Sequence, residues 1–447
     1  MSERGTWLDH LSQRQATRDA QYGATLSVAA LWYARVLLVV TTIILMIGLG
    51  PVGGADAEQV AGGSRARQAS FLLLAALSLP LIMHAWRRVS LLIGANWPLL
   101  LVYGVLAASF WWSAFPGITV RRLAIYVIVL LLACALSAVL RTPRLFMPPL
   151  LVGFGIVIGL NLVYSAAFPG LAWSPIGLEG LFSSKNVAGM GSQAIILCAC
   201  ATLVAFRSPA AFWSVVLLAM STAAFLVLTL SKTAVGLTAL CVFVVFPVLV
   251  LALRHRTFAI IALGGTAGLV GVVGLATGTL NLSGADWADI ITGDPTFTSR
   301  DELWAAALLH IEKAPLLGYG FGAQWSMLPV YHPLWLYWGF WSGTDIYKNY
   351  NQFHNGYLDL FVHGGVLLAG TVAFFVVTLV SRIARAVMRE TSDRWKRSGD
   401  ILFALIVLGT LLSNLMESSL FFPDALLGQF LVVITVAHSA WNLPEGA

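Results

Sequence analysis

Long apolar runs recur along nearly the whole chain, and they limit its fold more than any other feature of the sequence. Charged residues make up 10% of the 447 residues, the hydrophobic set makes up 59%, and the mean hydropathy is +0.84. A soluble protein of this length could not cover its surface with so few charges. Runs of about 20 apolar residues can cross the hydrocarbon core of a bilayer as helices. The sequence therefore predicts an all-α polytopic membrane protein.

Counting such runs gives about twelve predicted transmembrane helices. They lie at 28–49, 70–86, 97–115, 119–140, 145–168, 187–206, 211–230, 234–252, 257–277, 356–381, 400–419 and 424–442. The first run lacks a small-residue cleavage site, so we expect it to remain as a transmembrane helix. The predicted organisation is a cytoplasmic tail at 1–27, helices one to nine within 28–277, an outer loop with short helices at 278–355, helices ten to twelve within 356–442, and a cytoplasmic end at 443–447.

Lysine and arginine set the predicted orientation, because cytoplasmic loops carry an excess of both. With the N-terminus inside, sixteen of the 26 Lys and Arg face the cytoplasm and nine face outside, with Arg35 left at the start of the first helix. Both ends are therefore predicted inside and the 278–355 loop outside. The net charge of +6 follows mostly from this asymmetry, so we expect no nucleic-acid partner.

The sequence indicates neither a disulfide framework nor a metal site. Each of its four cysteines lies inside an apolar run, at Cys134, Cys198, Cys200 and Cys241, where small core residues are typical. The aspartates of the outer loop, Asp286, Asp289 and Asp294, lack the paired spacing of a metal-diphosphate motif. We therefore expect no metal and no other cofactor.

Basic residues stand at the outer starts of several predicted helices, at Arg121, Arg122, Lys185 and Lys232. A helix N-terminus already carries partial positive charge and free N–H groups, so a cation there is locally unfavourable. The arrangement is useful if an anion such as a phosphate binds among these groups, which is the interpretation we favour. The alternative is that each side chain reaches the headgroup phosphates of the membrane.

A polar string that runs from Asn351 to Asp359 leads into the tenth predicted helix. His354 in this string can accept and return a proton near neutral pH, and Asn355 can orient it or bind a sugar hydroxyl. The alternative is that Asn355 only caps the helix. Glu417, at the outer end of the eleventh helix, is either a second proton acceptor or an ion-pair partner of Lys185 or Lys232, and we favour the ion pair.

Aromatic residues crowd the end of the outer loop, and Tyr357 follows in the next helix. Their rings can stack on sugars while their hydroxyl and indole groups form hydrogen bonds, or they can lie along the membrane surface. Both interpretations stay open. The candidate sugar-binding residues are Trp325, Tyr350 and Tyr357.

Three strings together resemble the O-antigen ligase and polymerase superfamily: GLFSSKN at Gly180–Asn186, SKTA at Ser231–Ala234 and HNGYLD at His354–Asp359. The spacing of Arg300 and Trp304 and the PLLGYG string at Pro315–Gly320 look most like its exopolysaccharide polymerase branch. The ending around Asn414, Glu417 and Ser418 is similar as well. The resemblance covers roughly residues 70–440.

This resemblance implies a glycosyltransferase of the bacterial inner membrane, with a mostly helical C-type fold and an active site that faces the periplasm. Its donor would be an oligosaccharide linked to undecaprenyl diphosphate. His354 matches the catalytic histidine of the superfamily, and Arg300 and Lys232 match basic positions expected at the diphosphate. In ligases the position of Lys232 is usually arginine, and the string around Lys185 also resembles polymerases.

The residues and the resemblance together predict a polymerase of O-antigen or exopolysaccharide, with His354 as general base, Asn355 as its orienting group, Glu417 as a further candidate base, and five cations at the diphosphate: Arg121, Arg122, Lys185, Lys232 and Arg300. A ligase that transfers the glycan to lipid A-core, as in lipopolysaccharide, is the alternative. A lipid-linked-glycan flippase or a non-catalytic assembly subunit are the candidates of other classes. The expected partners are the lipid-linked donor, a glycan acceptor, membrane lipid and other polysaccharide assembly proteins.

Overall fold

The computed structural model describes residues 28–48, 65–253, 300–325, 352–389, 391–423 and 425–444. The helices of the first half are α1 (Val28–Ile47), α2 (Arg65–His84), α3 (Trp86–Ala95), α4 (Trp97–Ala108), α5 (Pro116–Val139), α6 (Pro143–Ala167) and α7 (Pro169–Ala172). Next come two short antiparallel strands, β1 (Trp173–Ser174) and β2 (Gly177–Leu178). The remaining helices are α8 (Lys185–Leu203), α9 (Pro209–Leu228), α10 (Lys232–Leu240), α11 (Phe246–Ala252), α12 (Arg300–Lys313), α13 (Gly356–Met388), α14 (Arg394–Ser413) and α15 (Leu426–Ala440).

The predicted all-α membrane fold is confirmed. Eight helices in the described residues are long and apolar enough to cross a membrane, or nine if the bent pair α3 and α4 forms one span. The predicted spans eleven and twelve correspond to α14, which carries charges in its first two turns, and α15, which has 15 residues. The predicted ninth span, 257–277, lies outside the described residues.

Prolines and short polar residues mark where the long helices begin. Pro116, Pro143 and Pro209 occupy the first position of α5, α6 and α9, where the missing N–H is not needed by the helix. The carboxylate of Asp393 accepts a hydrogen bond from the Trp395 amide at 2.9 Å and caps α14. These local signals explain why the helix starts could be placed approximately from the sequence.

Burial separates a central group of helices from a peripheral one. Most residues of α8, α14 and α15 are buried. In contrast, α9 and the segment that joins α10 and α11 expose large apolar side chains, such as Leu217 at 70% and Phe243 at 76%. Exposed apolar side chains on long helices are what a lipid environment requires. The core of the bundle therefore lies around α8, α14 and α15.

Helix α13 is broken at Gly365, which has φ 58° and ψ −157°. The loop after α12 fills the break. The amides of Tyr319 and Gly320 donate to the carbonyls of Val362 and His363 at 2.9 and 3.0 Å, while the amide of Val366 donates to the Pro315 carbonyl at 2.8 Å. Backbone groups freed at membrane depth are costly unless protein satisfies them, so this loop stabilises the break.

The close approach of this loop requires glycine. A Cβ on Gly365 would lie 2.3 Å from the Leu316 carbonyl carbon, and one on Gly318, at φ 61°, would lie 2.5 Å from the Val362 carbonyl oxygen. A side chain at either position would therefore separate the loop backbone from the backbone of α13. The PLLGYG string therefore has a structural function in docking the loop after α12 onto α13.

The ends of the core helices lie in two groups, one at each end of the bundle. The Gly356 amide at the start of α13 donates to the Asn414 carbonyl at the end of α14, at 2.9 Å. At the other end of α13, Arg389 pairs with Asp400 near the start of α14, at 2.7 Å. Segments that the sequence places outside therefore meet at one end of the bundle, and segments that it places inside meet at the opposite end.

Cysteine labelling tests the predicted orientation. Ser183 and Ser392 are both exposed, and they belong to the outer and the cytoplasmic groups of segments respectively. We expect an impermeant thiol reagent to label Ser183→Cys in intact spheroplasts and to label Ser392→Cys only after permeabilisation. The four native cysteines are buried, so background labelling should be low. Labelling of Ser392→Cys in intact spheroplasts would reverse the predicted topology.

Candidate active site

A buried carboxylate, Glu417, joins four segments at the end of the bundle that the sequence places outside. Its Oε1 accepts hydrogen bonds from Arg300 Nη2 and from Asn186 Nδ2, both at 3.0 Å. Its Oε2 accepts from Gln352 Nε2 at 3.1 Å and lies 2.9 Å from His354 Nδ1. The Glu417 side chain is only 5% exposed, and a buried carboxylate is tolerable when charged and neutral donors surround it in this way.

The turn after α14 fixes the position of Glu417. The Glu417 amide continues the helix with a 2.8 Å bond to the Ser413 carbonyl. The side-chain oxygen of Asn414 then accepts from the amides of Ser419 and Leu420 at 2.9 and 2.8 Å. Because Asn414 binds the far side of the turn, the turn holds one conformation and presents the carboxyl of Glu417 to the other segments.

His354 lies immediately before α13 with its backbone at φ 51°, a region that residues other than glycine rarely occupy. Such backbone conformations persist where surrounding contacts hold them, and they cluster at functional sites. A carboxylate at Nδ1 stabilises the imidazole tautomer that carries its proton on Nδ1, which puts the ring's lone pair on Nε2. Glu417 therefore gives His354 the tautomer that a general base needs.

Asn355 is the N-cap of α13. Its side-chain oxygen accepts from the amides of Tyr357 and Leu358 at 3.1 and 3.3 Å. This is the capping function that the sequence left open as the alternative for Asn355. The contact that orients the His354 ring comes from Glu417, and a catalytic function of Asn355 stays a prediction.

A second buried carboxylate, Asp359, holds the backbone on both sides of the His354–Glu417 contact. It is 1% exposed. Its Oδ2 accepts from the Phe353 amide at 3.1 Å and from the Ser418 hydroxyl, and its Oδ1 accepts from Trp325 Nε1 at 3.1 Å. Phe353 and Ser418 directly neighbour the paired histidine and glutamate. Asp359 therefore fixes the distance between them.

We expect Asp359→Asn to lower both stability and turnover. Whichever oxygen became the amide nitrogen, its N–H groups would face the N–H of Trp325 or of Phe353, so at least one buried hydrogen bond would be lost, at a cost of about 1–3 kcal/mol. Small displacements of reacting groups can reduce rates by about 10²-fold. Thermal unfolding and turnover of the purified variant check this, with the exposed Asp301→Asn as control. Wild-type values for both would show that Asp359 does not position the pair.

The starts of α8 and α10 meet beside Glu417. Asn186, which donates to Glu417, accepts a hydrogen bond from the Ser231 hydroxyl at 3.2 Å. The two helices approach closely because α8 has glycine at the crossing: a Cβ on Gly189 would lie 2.6 Å from the Ala234 Cβ. The GLFSSKN and SKTA strings, which are distant in sequence, therefore both contribute to the candidate site.

Lys185 and Lys232 directly neighbour these contacts in sequence. Lys185 Nζ donates to the Ile176 carbonyl at 3.1 Å, and Lys232 is exposed at the start of α10. The ion pair that we favoured for Glu417, with Lys185 or Lys232, is wrong: its charged partner is Arg300, whose side chain is 14% exposed. The two lysines therefore lie near the cluster without forming its ion pair.

Arg121 and Arg122 contact backbone carbonyls near the start of α5. Arg121 Nε donates to the Gly117 carbonyl of its own helix at 3.3 Å, and Arg122 Nη1 donates to the Gly322 carbonyl. A Cβ on Gly322, at φ 68°, would lie 2.5 Å from that guanidinium nitrogen. Arg122 thus holds the glycine-rich turn after α12, and a diphosphate-binding function of either arginine stays a prediction.

The predicted sugar-binding aromatics occupy different environments. Trp325 is 3% exposed, and its ring packs 4.7 Å from the Phe353 ring, so it offers no open face to a sugar in this structure. The Tyr357 hydroxyl donates to the Leu411 carbonyl at 2.9 Å and joins α13 to α14. Tyr350 lies outside the described residues.

Sequence reasoning assigned no role to Asn186, Gln352 or Asp359. Each nonetheless lies in or beside a motif that was singled out, because Asn186 follows Lys185, Gln352 lies in the polar string around His354, and Asp359 ends the HNGYLD string. Burying an aspartate beside a long apolar run costs free energy unless the carboxylate has partners. The position of Asp359 could therefore have indicated a buried, hydrogen-bonded carboxylate.

Comparison with known proteins supports the resemblance. A family model described as O-antigen ligase matches residues 215–375, a stretch that contains Lys232, Arg300, His354 and Asp359. No curated protein matches the chain. The matched segment supplies the histidine and the arginine of the Glu417 cluster, and over this segment the chain is similar to the O-antigen ligase family.

Proposed function

We propose that the protein is a glycosyltransferase that moves an oligosaccharide from undecaprenyl diphosphate onto a glycan acceptor at the periplasmic face of the inner membrane. The observation that carries the proposal is the 2.9 Å contact between His354 Nδ1 and Glu417, with Arg300 on the other carboxylate oxygen. It combines a histidine held in the tautomer of a base with a cation suited to an anionic leaving group. The match to the O-antigen ligase family supports the same class of reaction.

The proposed reaction transfers one proton to His354 and exchanges one bond at the anomeric carbon. The acceptor hydroxyl attacks the anomeric carbon of the donor sugar, and its proton passes to His354 Nε2. The bond between the anomeric carbon and the phosphate oxygen breaks, and undecaprenyl diphosphate leaves with the bonding electrons. General-base assistance of this kind contributes about 10²–10⁴-fold in rate.

Fixed positive charge would stabilise the leaving diphosphate. Arg300 uses Nη2 for Glu417, and a guanidinium has five N–H donors in a planar fork, so the remaining donors suit phosphate oxygens. Lys185 and Lys232, at the starts of α8 and α10, add two ammonium groups and two helix N-termini near the cluster. Such preorganised charge acts on the negative charge that develops as the bond breaks.

Within the superfamily we assign the protein to the polymerases, in which the acceptor is another lipid-linked repeat unit. Lys232 supports this, because a lysine supplies a point charge where ligases usually present the bidentate fork of arginine. A ligase that transfers the glycan to lipid A-core is the second candidate, favoured by the description of the matching family.

Reconstitution with each acceptor separates the two candidates. The purified protein would receive a lipid-linked oligosaccharide donor with either a second lipid-linked repeat unit or lipid A-core. A polymerase yields lipid-linked chains of increasing length with donor alone, whereas a ligase yields only glycosylated lipid A-core. Chain growth would confirm the polymerase assignment. If no product forms with either acceptor, the proposed function is contradicted.

Lys232→Ala tests the diphosphate site with little risk to the fold, because Lys232 is exposed. Losing a charge-assisted contact of about 1.5–3 kcal/mol predicts donor use reduced about 10- to 150-fold. Lys313→Ala, at another exposed lysine at the end of α12, is the matched control and should keep wild-type donor use. Arg300→Ala should lose donor use and stability together, because it leaves Glu417 without its cation. Wild-type kinetics for Lys232→Ala would remove it from the site.

A further inference from the structure

A cavity lined by basic and apolar side chains lies at the end of the bundle opposite Glu417, between the ends of α13 and α15. Its volume is about 650 Å³. Its polar side chains come from the end of α13 and the residue after it, and from the end of α15 and the turn after it: Arg382, Arg385, Arg389, His438, Ser439 and Asn442. The glycosyl-transfer chemistry proposed above uses none of these residues. The sequence places this end of the bundle at the cytoplasmic face.

The hydrogen bonds of Arg382 within the described part of the chain all go to neutral groups. Its Nη1 donates to the Ser439 hydroxyl at 2.8 Å and to Asn96 Oδ1 at 3.2 Å, and its Nη2 donates to the Ala95 carbonyl at 3.2 Å. Ser439 also donates to Asn96 at 2.9 Å. These contacts orient the guanidinium at the cavity wall without neutralising its charge.

The carboxylate of Asp400 accepts hydrogen bonds from two side chains that line the cavity. Asp400 accepts from Arg389 Nη2 at 2.7 and 3.0 Å and from His438 Nε2 at 3.1 Å. Among the residues that the structure describes, the cavity lining contains three arginines and no acidic residue, so Asp400 cannot balance the charges of Arg382 and Arg385 as well as that of Arg389. The described lining therefore carries an excess of positive charge.

Buried donor capacity at the same place also lacks a partner. The Nε–H of Arg389 is a buried donor without a hydrogen-bond partner in the part of the chain that the structure describes. Unsatisfied buried polar atoms are rare in native structures and indicate a missing ligand or solvent. Basic residues that serve only to set membrane topology need no cavity and no buried contacts.

We propose that this cavity binds a phosphate group, carried by the headgroup of an anionic phospholipid. Arginine forks match phosphate oxygens bidentately, and basic pockets at the cytoplasmic ends of transmembrane helices suit such headgroups. The lipid source follows from the adjoining surface of α13, where Val377, Val380 and Met388 are 61%, 47% and 57% exposed. Met388 also lines the cavity, so an acyl chain could lie along α13 while the phosphate occupies the arginine cluster.

Binding measurements on the full chain in neutral detergent test this. Thermal unfolding would be followed against dioleoyl phosphatidylglycerol, dioleoyl phosphatidylcholine and inorganic phosphate, because a ligand that binds the folded state raises its stability with concentration. We expect stabilisation by phosphatidylglycerol and not by phosphatidylcholine. Equal stabilisation by inorganic phosphate, if it depends on the same arginine, would keep the phosphate site and assign it to a soluble source.

The decisive variant is Arg385→Gln, because Arg385 is exposed and its loss should not disturb the packing of α13. We expect its apparent affinity for phosphatidylglycerol to fall about 10-fold or more, as for loss of a charge-assisted contact. Arg394→Gln, at an exposed arginine of α14 that does not line the cavity, is the matched control and should bind as the wild type does. Wild-type affinity in Arg385→Gln, or equal stabilisation by phosphatidylcholine, would overturn the proposal.

Discussion

Replacing His354 with glutamine is expected to reduce turnover about 10²–10⁴-fold while leaving donor affinity nearly unchanged. Glutamine keeps a hydrogen-bond donor within reach of Glu417, but it cannot take a proton at neutral pH. The expected loss therefore reports proton transfer rather than packing. Turnover and donor affinity of the purified variant, measured separately, check the prediction.

Asn355→Ala is the matched control, because Asn355 is the neighbour that caps α13. Loss of a cap costs about 1 kcal/mol of stability, so this variant should unfold at lower temperature and keep most of its turnover. A turnover loss as large as that of His354→Gln would instead give Asn355 the catalytic function predicted from the sequence. Wild-type turnover in His354→Gln would remove the histidine from the mechanism and leave Glu417 as the next candidate base.

Glu417→Gln is expected to have the second largest effect, on both turnover and stability. The amide would face His354 and Arg300 without the negative charge that holds the tautomer of one and pairs with the other. Breaking a buried pair by removing one partner costs about 3–5 kcal/mol. Loss of the oriented tautomer should reduce turnover by about 10²-fold or more. Calorimetric unfolding and single-turnover kinetics measure the two effects.

The two substitutions should be strongly non-additive if histidine and glutamate act as one unit. The double variant with His354→Gln and Glu417→Gln should then turn over about as slowly as the slower single variant. The exposed Glu312→Gln, at the end of α12, should show neither effect. If the turnover loss of the double variant equals the product of the two single losses, Glu417 does not act by orienting His354.

The positions of the membrane helices could be predicted because apolar length, prolines and capping residues are local properties of the sequence. The break in α13 could not. It depends on the loop after α12, whose amides satisfy the carbonyls of Val362 and His363 from more than 40 residues away in the chain. Gly365 was read as part of a continuous apolar run because hydropathy contains no information on such distant backbone pairing.

The residues of the candidate site could be predicted better than their contacts. His354, Arg300 and Glu417 were each singled out, but Glu417 was expected to pair with a lysine. The actual partner depends on where the start of α12 lies, and neither charge nor spacing gives that position. The environment of Trp325 could not be predicted either, because the sequence does not indicate whether an aromatic ring faces a ligand or packs in the core.

Release of undecaprenyl diphosphate by the purified protein, supplied with a lipid-linked donor and a glycan acceptor, tests glycosyl transfer at the His354–Glu417 cluster most directly. We predict release accompanied by one new glycosidic bond for each diphosphate released, with a second lipid-linked repeat unit as the acceptor. The same assay with His354→Gln should show release reduced about 10²-fold or more at saturating donor. Absence of release by the wild type, or release by His354→Gln at the wild-type rate, would contradict the proposed function of this site.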